Sequence, residues 1–396
     1  MVTFLPFPGY RPSLKNNEDI GDRISPPYDV INDEYLKELQ ENKNNVTRLT
    51  LSPENSRYKR SRDELESWIK DGSLVQDANS FYLYRQNFVS DGKKMTRTGI
   101  VGILRTEPYE NGNVIPHEET FSKVKEDRLN LLRDMETHLE SIFGIFEGFS
   151  KGLDDKISKA AEKLYYYVDS SDVEHIYYKI SDKKVTDAIT KELKGQKMLI
   201  ADGHHRYETA LNYSLENPDN ELKGYVLATI VSSDDPGLVI WPTHRLLDSR
   251  SVNEDDAIRK IRGMMKVADA GSVDDMCNEL PKWQMGLMFR SGRCLLARHE
   301  NPGDPLWSLD TYVAQEIVIK RAYGYDEGDV KVSYDAVLDS VIRKMGYGKH
   351  DAAIVLNIPS LKTIWDLSSI GKRMPKKTTY FFPKIWSGFV FYKMSR

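Results

Sequence analysis

The residues best suited to chemistry lie together at positions 202–206, within the segment ADGHHRYETAL. They follow the apolar run MLI and precede a helical pattern, so we expect a strand that delivers Asp202 and a helix that begins near His204. Free N–H groups and a partial positive charge make a helix start a binding site for anions. Gly203 would let a ligand approach the backbone, and Arg206 would add a planar pair of donors for phosphate oxygens. The pattern therefore predicts a phosphate site.

Simpler interpretations of this segment stay open. Asp202 is a common type of helix N-cap, and His204 and His205 could be solvated surface residues. The concentration of chemically capable polar residues at one strand–helix junction favours a functional site. A metal ion shared by the two histidines is disfavoured, because neighbouring residues on a helix diverge by about 100°. Asp202 could hold a metal ion itself or orient a histidine.

A second group is His117 and Glu118, in VIPHEETFSKVKEDRLNLL. A His–Glu pair can act as a base and the group that orients it, or it can bind a metal ion. The equal alternative is a turn in which Glu118 or Glu119 caps the following helix.

Two loops next to prolines present further polar residues. SPPYDVI would hold Tyr28 and Asp29 in a rigid loop, either towards a pocket or, slightly favoured, as a structural turn. WPTHRLL carries His244 and Arg245 on or after a strand, where a polar sheet edge is the alternative.

The most basic stretch is 371–394, where Arg373, Lys376, Lys377 and Lys384 alternate with aromatic residues. Nucleic-acid contact, binding of a small phosphorylated ligand and a solvated basic edge are all compatible with it.

Strands and helices of mixed order must position these residues, and the sequence predicts an α/β or α+β fold. Two alternating runs around Asp91-Gly92 predict a β-hairpin. The segment 124–141 predicts a helix with a leucine-rich face, and LVIWPTHRLL predicts a strand. A weak boundary near Asp248–Asn253 would separate a site-bearing region, 1–250, from a C-terminal α/β region, 251–396, whose last segment, 371–396, packs back towards the site.

Composition limits the class of protein. The chain has 396 residues, a net charge of −4, 40% apolar residues and 29% charged residues. The acidic overall composition disfavours a nucleic-acid partner. The two cysteines form no CxxC motif, and neither a signal peptide nor a membrane span is recognised. We therefore expect a cytoplasmic protein.

Five segments occur in an order that resembles the domain-of-unknown-function family numbered 1015: SPPYDV, PHEET with DRLNLL, ADGHHRYETAL, DPGLVIWPTHRLL and RMPKKTTYFFPKIWSGFVFY. The resemblance extends from about Phe7 to Lys393. It implies membership of that family and no particular activity.

The segment at 202–206 is also similar to the phosphate-binding box of the ParB/sulfiredoxin-like superfamily. Gly203 and Arg206 fit its Gly-x-x-Arg frame, with Tyr207 and Ala210 at the matching places. Free-serine kinases of that superfamily carry an Asp-Gly-His-His-Arg box like Asp202–Arg206. The resemblance implies a ParB-like phosphate-binding core, elaborated by further strands and helices, and phosphoryl transfer to a small hydroxy amino acid. The chain departs from the small kinases in size and in its long segment between PHEET and ADGHHR.

We therefore predict a phosphoryl-transfer enzyme that binds a nucleotide or a phosphorylated metabolite together with Mg²⁺, and that acts on free serine or phosphoserine. The alternatives are a ParB-type nucleotide- or nucleic-acid-binding protein and a phosphatase-like hydrolase. The predicted catalytic residues are Glu118 as the base, His117, Asp202 and His205. The predicted cofactor-binding residues are Gly203, His204, Arg206, His244, Arg245 and Arg373, and the predicted metal ligand is Asp202.

Overall fold

The computed structural model describes residues 2–15, 18–52, 57–120, 122–248, 252–300, 303–324 and 331–395. The strands are β1 Phe4–Leu5, β2 Tyr10–Pro12, β3 Leu74–Gln76, β4 Phe81–Ser90, β5 Lys93–Arg105, β6 Val114–Pro116, β7 Thr137–His138, β8 Ile142–Phe146, β9 Glu162–Val168, β10 Glu174–Ile180, β11 Met198–Asp202, β12 Tyr225–Ser232, β13 Val239–Trp241, β14 His244–Asp248, β15 Lys266–Ala270, β16 Met285–Phe289, β17 Cys294–Arg298, β18 Lys331–Asp335, β19 Ala352–Leu356, β20 Tyr380–Phe382 and β21 Tyr392–Lys393.

The helices are α1 Asp33–Glu41, α2 Thr47–Thr50, α3 Arg57–Lys70, α4 Ser122–Met135, α5 Lys151–Ala160, α6 Lys183–Leu193, α7 His204–Glu216, α8 Glu254–Met264, α9 Val273–Glu279, α10 Asp310–Val313, α11 Leu338–Gly346 and α12 Leu361–Ser369. A π-helix, Ala314–Ala322, follows α10 directly. Within the described ranges, no helix combines the length and the apolar character that crossing a membrane would require.

The chain divides into two compact units. The first contains the residues up to Pro116, Thr120–Val239 and the segment from Pro383 onwards, and the second contains His117–Glu119 and Ile240–Phe382. The regions assigned from the sequence, 1–250 and 251–396, and the packing of 371–396 towards the site stay predictions.

The first unit is built on a large mixed sheet with the order β6-β11-β8-β12-β5-β4-β10-β9, and β1 pairs with β5. β11 runs parallel to β6 and antiparallel to β8. The predicted hairpin is confirmed: β4 and β5 pair around Asp91 and Gly92, whose φ angles of 49° and 70° suit a tight turn. The fold is therefore mixed α/β.

Helix α7 is anchored to this sheet by its buried face. Tyr207 and Ala210 belong to the hydrophobic core with Ile142 and Ile200 of the strands beneath. The Tyr207 hydroxyl also donates to the backbone carbonyl of Glu107 at 2.8 Å. These contacts fix the start of α7 relative to the end of β11.

The prediction of a helix over 124–141 is wrong at its C-terminal end. Helix α4 ends at Met135, and Glu136 has a φ of 47°, in the left-handed region that interrupts a helix. Thr137 and His138 then form β7, which pairs with β21. The residues after Met135 therefore leave the helix and pair with a strand that is distant in the sequence.

The second unit has an antiparallel sheet with the order β15-β17-β16-β19-β14-β18. Its core is formed by apolar residues of α8, the π-helix and these strands. The single strand predicted for LVIWPTHRLL is two strands, β13 and β14, separated at Pro242. Proline has no N–H group with which to continue a ladder.

Candidate functional site

The predicted strand–helix junction is present in the first unit. Strand β11 ends at Asp202 and helix α7 begins at His204. Gly203, with φ 88° and ψ 28°, is the N-cap, instead of Asp202 as the sequence suggested. Asp202 still belongs to the strand and pairs with Phe143 of β8. Position 203 favours glycine because a residue with a side chain is disfavoured at this φ.

Two cations meet the carboxylate of Asp202. Lys384 Nζ donates to Asp202 Oδ2 at 2.7 Å, and Arg206 Nη2 lies 3.7 Å from Asp202 Oδ1. All three side chains are partly buried. The carboxylate therefore holds an ammonium group and a guanidinium group at the start of α7.

The backbone that carries Lys384 is fixed by buried side chains of β4 and β5. Gln86 Nε2 donates to the carbonyl of Lys384 at 2.9 Å, and Arg97 donates to the carbonyl of Pro383. Burial lowers the pKa of Arg97 to about 10, so its guanidinium stays protonated at neutral pH. These bonds explain how a residue near the end of the chain reaches β11.

Arg206 lies against the backbone of the junction. Its Nη1 donates to the carbonyl of Ser141, whose hydroxyl is bonded to that of Thr229 at 2.8 Å. A β-carbon at Gly203 would lie only 3.1 Å from Nε and Nη2 of Arg206. A side chain at Gly203 would therefore displace the guanidinium, and this close approach is a second reason for glycine.

The two histidines of the motif differ in exposure. His204 is buried, whereas His205 is partly buried. Neighbouring helical side chains point in different directions, which accounts for the difference. The assignments of His204 to phosphate binding and of His205 to catalysis stay predictions.

In the second unit, Glu118 is held by the backbone of the basic stretch. Its carboxylate accepts bonds from the amides of Lys377, Thr378 and Thr379 at 3.2, 3.0 and 3.3 Å. His117 Nε2 lies 3.0 Å from the Thr379 hydroxyl and 3.4 Å from Glu118 Oε1. The catalytic roles of Glu118 and His117 stay predictions.

His244 and Arg245 are both buried in the same unit. His244 Nδ1 accepts from the amide of Leu356 at 3.1 Å, and burial lowers its pKa to about 4. Arg245 donates to the carbonyl of Lys377 at 3.1 Å, so it supports the loop that holds Glu118. Arg373 is partly buried. Cofactor binding by His244, Arg245 and Arg373 stays a prediction.

The described residues hold no group of three or more His, Cys, Asp or Glu side chains suited to a metal ion. The role of Asp202 as a metal ligand stays a prediction. Tyr28 and the backbone of Asp29 form a short 3-10 turn, and the ring of Tyr28 lies 4.5 Å from the guanidinium of Arg128. The prediction that the Asp29 side chain faces a pocket concerns a side chain outside the described part of the structure.

The junction has one cation that the sequence did not single out as a site residue. Lys384 stood out only as one lysine of a basic stretch, and 182 residues separate it from Asp202. A second feature, a cavity beside Arg206, is lined by residues of the segment wrongly predicted to be helical. The alternation of lysine and aromatic residues near Lys384 was a sequence signal for that cation. No sequence pattern indicated the cavity beside Arg206.

Comparison with known families and structures gives the following matches. The family model described as "Protein of unknown function (DUF1015)" matches residues 4–312. A comparison with curated proteins found no match. Solved structures with a similar arrangement include a free serine kinase variant in complex with AMP, at 12% identity and a TM-score of 0.41, covering 68% of this chain and 83% of that chain.

Two further structures are similar at comparable levels. A conserved hypothetical protein from Pyrococcus furiosus has 13% identity and a TM-score of 0.38, covering 70% of this chain and 92% of its own. SbnI with a C-terminal truncation, from Staphylococcus aureus, has 11% identity and a TM-score of 0.39, covering 72% of this chain and 85% of that chain. Similarities at this level carry no argument about activity.

Proposed function

The chain belongs to the DUF1015 family of proteins of unknown function, and we propose that it is a phosphoryl-transfer enzyme. It would hold the phosphate groups of a nucleotide or of a phosphorylated small metabolite at the junction of β11 and α7. The observation that carries the proposal is the pairing of Arg206 and Lys384 with Asp202 at a glycine-capped helix start.

The chemistry of the junction supports this proposal. The first amides of α7 face an anion favourably, and a guanidinium and an ammonium group stand beside them. Hydrogen bonds to charged groups contribute about 1.5–3 kcal/mol each, so two cations and a few amides suffice for a stable phosphate complex. Phosphoryl transfer depends mostly on positioning and on neutralising charge, and both cations can do this.

Mg²⁺ is the metal ion that accompanies this proposal. Protein sites usually bind it through one or two carboxylates together with substrate phosphates. Asp202 is a carboxylate at the junction, so the residues fit Mg²⁺ that arrives with a nucleotide, and Asp202 would hold it. The ion would neutralise charge on the phosphates, while Arg206 and Lys384 would orient them.

The acceptor would be a small hydroxy amino acid, as the resemblance of Asp202–Arg206 implies. Within this proposal, His205 is the junction residue assigned to catalysis, and Glu118 with His117 keeps the predicted role of base. The substitutions His205→Ala and Glu118→Gln would show whether turnover, rather than nucleotide binding, depends on either group.

Calorimetric titration with ADP, ATP with Mg²⁺ and phosphoserine tests the phosphate site. Arg206→Lys keeps the charge but loses the planar pair of donors, so affinity for the best ligand should fall roughly ten- to a hundredfold. Lysine also loses the bond that Arg206 donates to the Ser141 carbonyl, so Tm should fall somewhat. The helix propensities of lysine and arginine are similar and should add little to this fall.

Arg133→Lys is the matched control. Arg133 pairs with Glu216 at the other end of α7, so the same substitution there should leave affinity unchanged. If Arg206→Lys binds every phosphate ligand as tightly as the wild type, Arg206 does not bind phosphate and the proposal loses its main support.

A further inference from the structure

A cavity of about 270 Å³ lies on the large sheet of the first unit. Sites for small molecules usually have about 300–1,000 Å³, so this space suits a small organic molecule. Strands β4, β5, β8 and β12 form its floor, helix α5 forms one wall, and the turn that follows β12 forms another.

The register of the sheet explains why the floor of this cavity is apolar. Leu83 of β4 pairs with Ile100 of β5, which pairs in turn with Ile230 of β12. Residues that pair directly across neighbouring strands share a face of the sheet. The three side chains therefore form one apolar row. The buried apolar residues that line the cavity are Leu83, Ile100, Phe146, Ile157 and Ile230.

The cavity and the backbone support of Lys384 lie on opposite faces of this sheet. Arg85 and Thr98 pair with each other and line the cavity, whereas the next pair along the two strands is Gln86 with Arg97. Successive side chains of a strand point to opposite faces. The sheet therefore separates a ligand in the cavity from Lys384, and binding there does not depend on the proposed phosphoryl transfer.

Three carboxylates line the mouth of the cavity. Asp154 of α5 and Asp234 of the turn are exposed, and Asp235 is partly buried. The amides of Thr98 and Gly237 donate to the two carboxylate oxygens of Asp235 at 3.0 and 2.8 Å. The backbone therefore fixes Asp235, while Asp154 and Asp234 are accessible to a ligand.

The charge at the mouth favours a cation. Partial burial raises the pKa of Asp154, and the nearby carboxylates of Asp234, Glu192 and Asp155 raise it further. Burial also raises the pKa of Asp235, against the effect of its two amide donors. A cation bound beside these groups would favour their ionised forms.

One cation of the protein lines the cavity together with the three carboxylates. The guanidinium of Arg85 lies over the ring of Tyr178, 5.6 Å from its centre. A single guanidinium does not balance three carboxylates, so the lining carries a net negative charge.

We propose that this cavity binds a small primary amine whose ammonium group is joined to an apolar chain or ring. The ammonium group lies at the mouth and donates to Asp154 and Asp234, and the apolar part lies on the floor. The carboxylates would repel an anion. A metal ion such as Mg²⁺ prefers oxygen ligands and would leave the apolar floor without a partner.

Two aromatic side chains of the lining guide the choice of probe. The rings of Phe146 and Phe149 pack edge to face with their centres 4.7 Å apart, and Phe149 is partly buried. An aromatic ring in the cavity can pack against them in the same way. Phenethylamine, which joins such a ring to an ammonium group, is therefore a suitable probe.

Calorimetric titration of the full chain with phenethylamine, 2-phenylethanol and 3-phenylpropanoate tests the cavity. The second compound replaces the ammonium group by a hydroxyl, and the third replaces it by a carboxylate. Ion pairs at exposed positions change an affinity by up to about fivefold each. Phenethylamine should therefore bind roughly tenfold more tightly than 2-phenylethanol, and 3-phenylpropanoate should not bind detectably.

Asp234→Asn removes one charge and keeps an acceptor for the Ser232 hydroxyl, so the variant should fold. It should bind phenethylamine about three- to fivefold more weakly and 2-phenylethanol as the wild type does. Asp219→Asn is the matched control. Asp219 is also exposed, but it lies shortly before the start of β12, whereas the cavity lies at the end of that strand. Its affinity for phenethylamine should equal that of the wild type.

Ser158→Phe tests whether the amine occupies the cavity itself. Ser158 is an exposed residue of α5 that lines the cavity, so a phenyl ring there should fill the space without disturbing the core. Binding of phenethylamine should be lost, and binding of ADP should be unchanged.

Four results would overturn the inference. Phenethylamine does not bind, 2-phenylethanol binds as tightly as phenethylamine, Asp234→Asn and Asp219→Asn have equal affinities, or Ser158→Phe binds phenethylamine as the wild type does. Displacement of phenethylamine by Mg²⁺ would instead identify a metal site and would also contradict the inference. None of these results bears on ADP binding, so they leave the phosphate site untouched.

Discussion

Replacing Gly203 by alanine tests whether the glycine serves the backbone alone or also the position of Arg206. At a φ of 88°, a β-carbon costs about 1–2 kcal/mol. The smaller freedom of the unfolded chain offsets about 0.4–1 kcal/mol of this. The net loss of stability should be about 1 kcal/mol. For a unit of this size, that lowers Tm by about 2–4 °C.

The added β-carbon would also lie 3.1 Å from Nε and Nη2 of Arg206. Ordinary contacts begin at about 3.5 Å, so the guanidinium must withdraw by about 0.4 Å and turn away from Asp202. Losing one charge-assisted bond to phosphate costs about 1.5–3 kcal/mol, and the affinity for ADP should therefore fall roughly ten- to a hundredfold.

Gly195→Ala provides the comparison, because Gly195 has a φ of 102° and a β-carbon there would meet nothing within 4 Å. Gly203→Ala should lose at least as much stability as Gly195→Ala in thermal denaturation, because its β-carbon would also lie 3.1 Å from Cγ2 of the buried Ile142. Only Gly203→Ala should lose affinity in calorimetric titration. Equal ADP affinities of the two variants would refute the claim that the glycine positions Arg206 for phosphate.

Two other measurements test charges in the structure. Asp202→Asn should bind inorganic phosphate without Mg²⁺ roughly tenfold more tightly, because a like charge is removed. The same variant should bind Mg²⁺–ADP more weakly if Asp202 holds the ion. Equal changes of both affinities in the same direction would exclude the metal role. Burial lowers the pKa of His244 to about 4 from 6.5. As the pH falls, the histidine therefore becomes protonated in the unfolded state before it does in the folded state. The free energy of unfolding should fall by up to about 3 kcal/mol as pH drops from about 6.5 to 4. Burial raises the pKa of Asp310 to about 6, which opposes this loss below pH 6. Denaturant titrations at pH 7.5, 6 and 5 should therefore show a shallower pH dependence for His244→Asn than for the wild type, and parallel curves would show that His244 is not held neutral.

Sequence patterns predicted those features that short segments encode. The hairpin depends on Asp91 and Gly92, two residues that accept the positive φ of a tight turn. The junction depends on an apolar strand followed directly by Gly203 and a helical pattern. In both cases the residues that determine the local backbone are neighbours in the chain, and a single sequence displays them together.

The sequence predicted only in general terms that 371–396 packs towards the site, and it did not predict individual contacts between distant segments. Lys384 reaches Asp202 because Arg97 and Gln86 hold its backbone on the sheet, and no local pattern around residue 384 shows this. The end of α4 was missed because Glu136 adopts a left-handed φ without being glycine. Its carboxylate accepts from Lys223 of a distant turn at 2.5 Å, a contact that helps to hold the interruption.

Glu118 and Asp202 are both carboxylates surrounded by several donors, but the donors differ in kind. Glu118 accepts from three successive backbone amides, which cannot leave without unfolding their loop. Asp202 instead pairs with two side-chain cations, Lys384 and Arg206, which are partly buried and can reorient. A phosphate carries more negative charge and more acceptor oxygens than a carboxylate, so it can compete for side-chain cations at little structural cost. A phosphate that displaced Glu118 would have to break the bonds from the three backbone amides as well. Under the proposed function, we therefore expect a phosphate to exchange at the junction of Asp202 and not at the loop that holds Glu118.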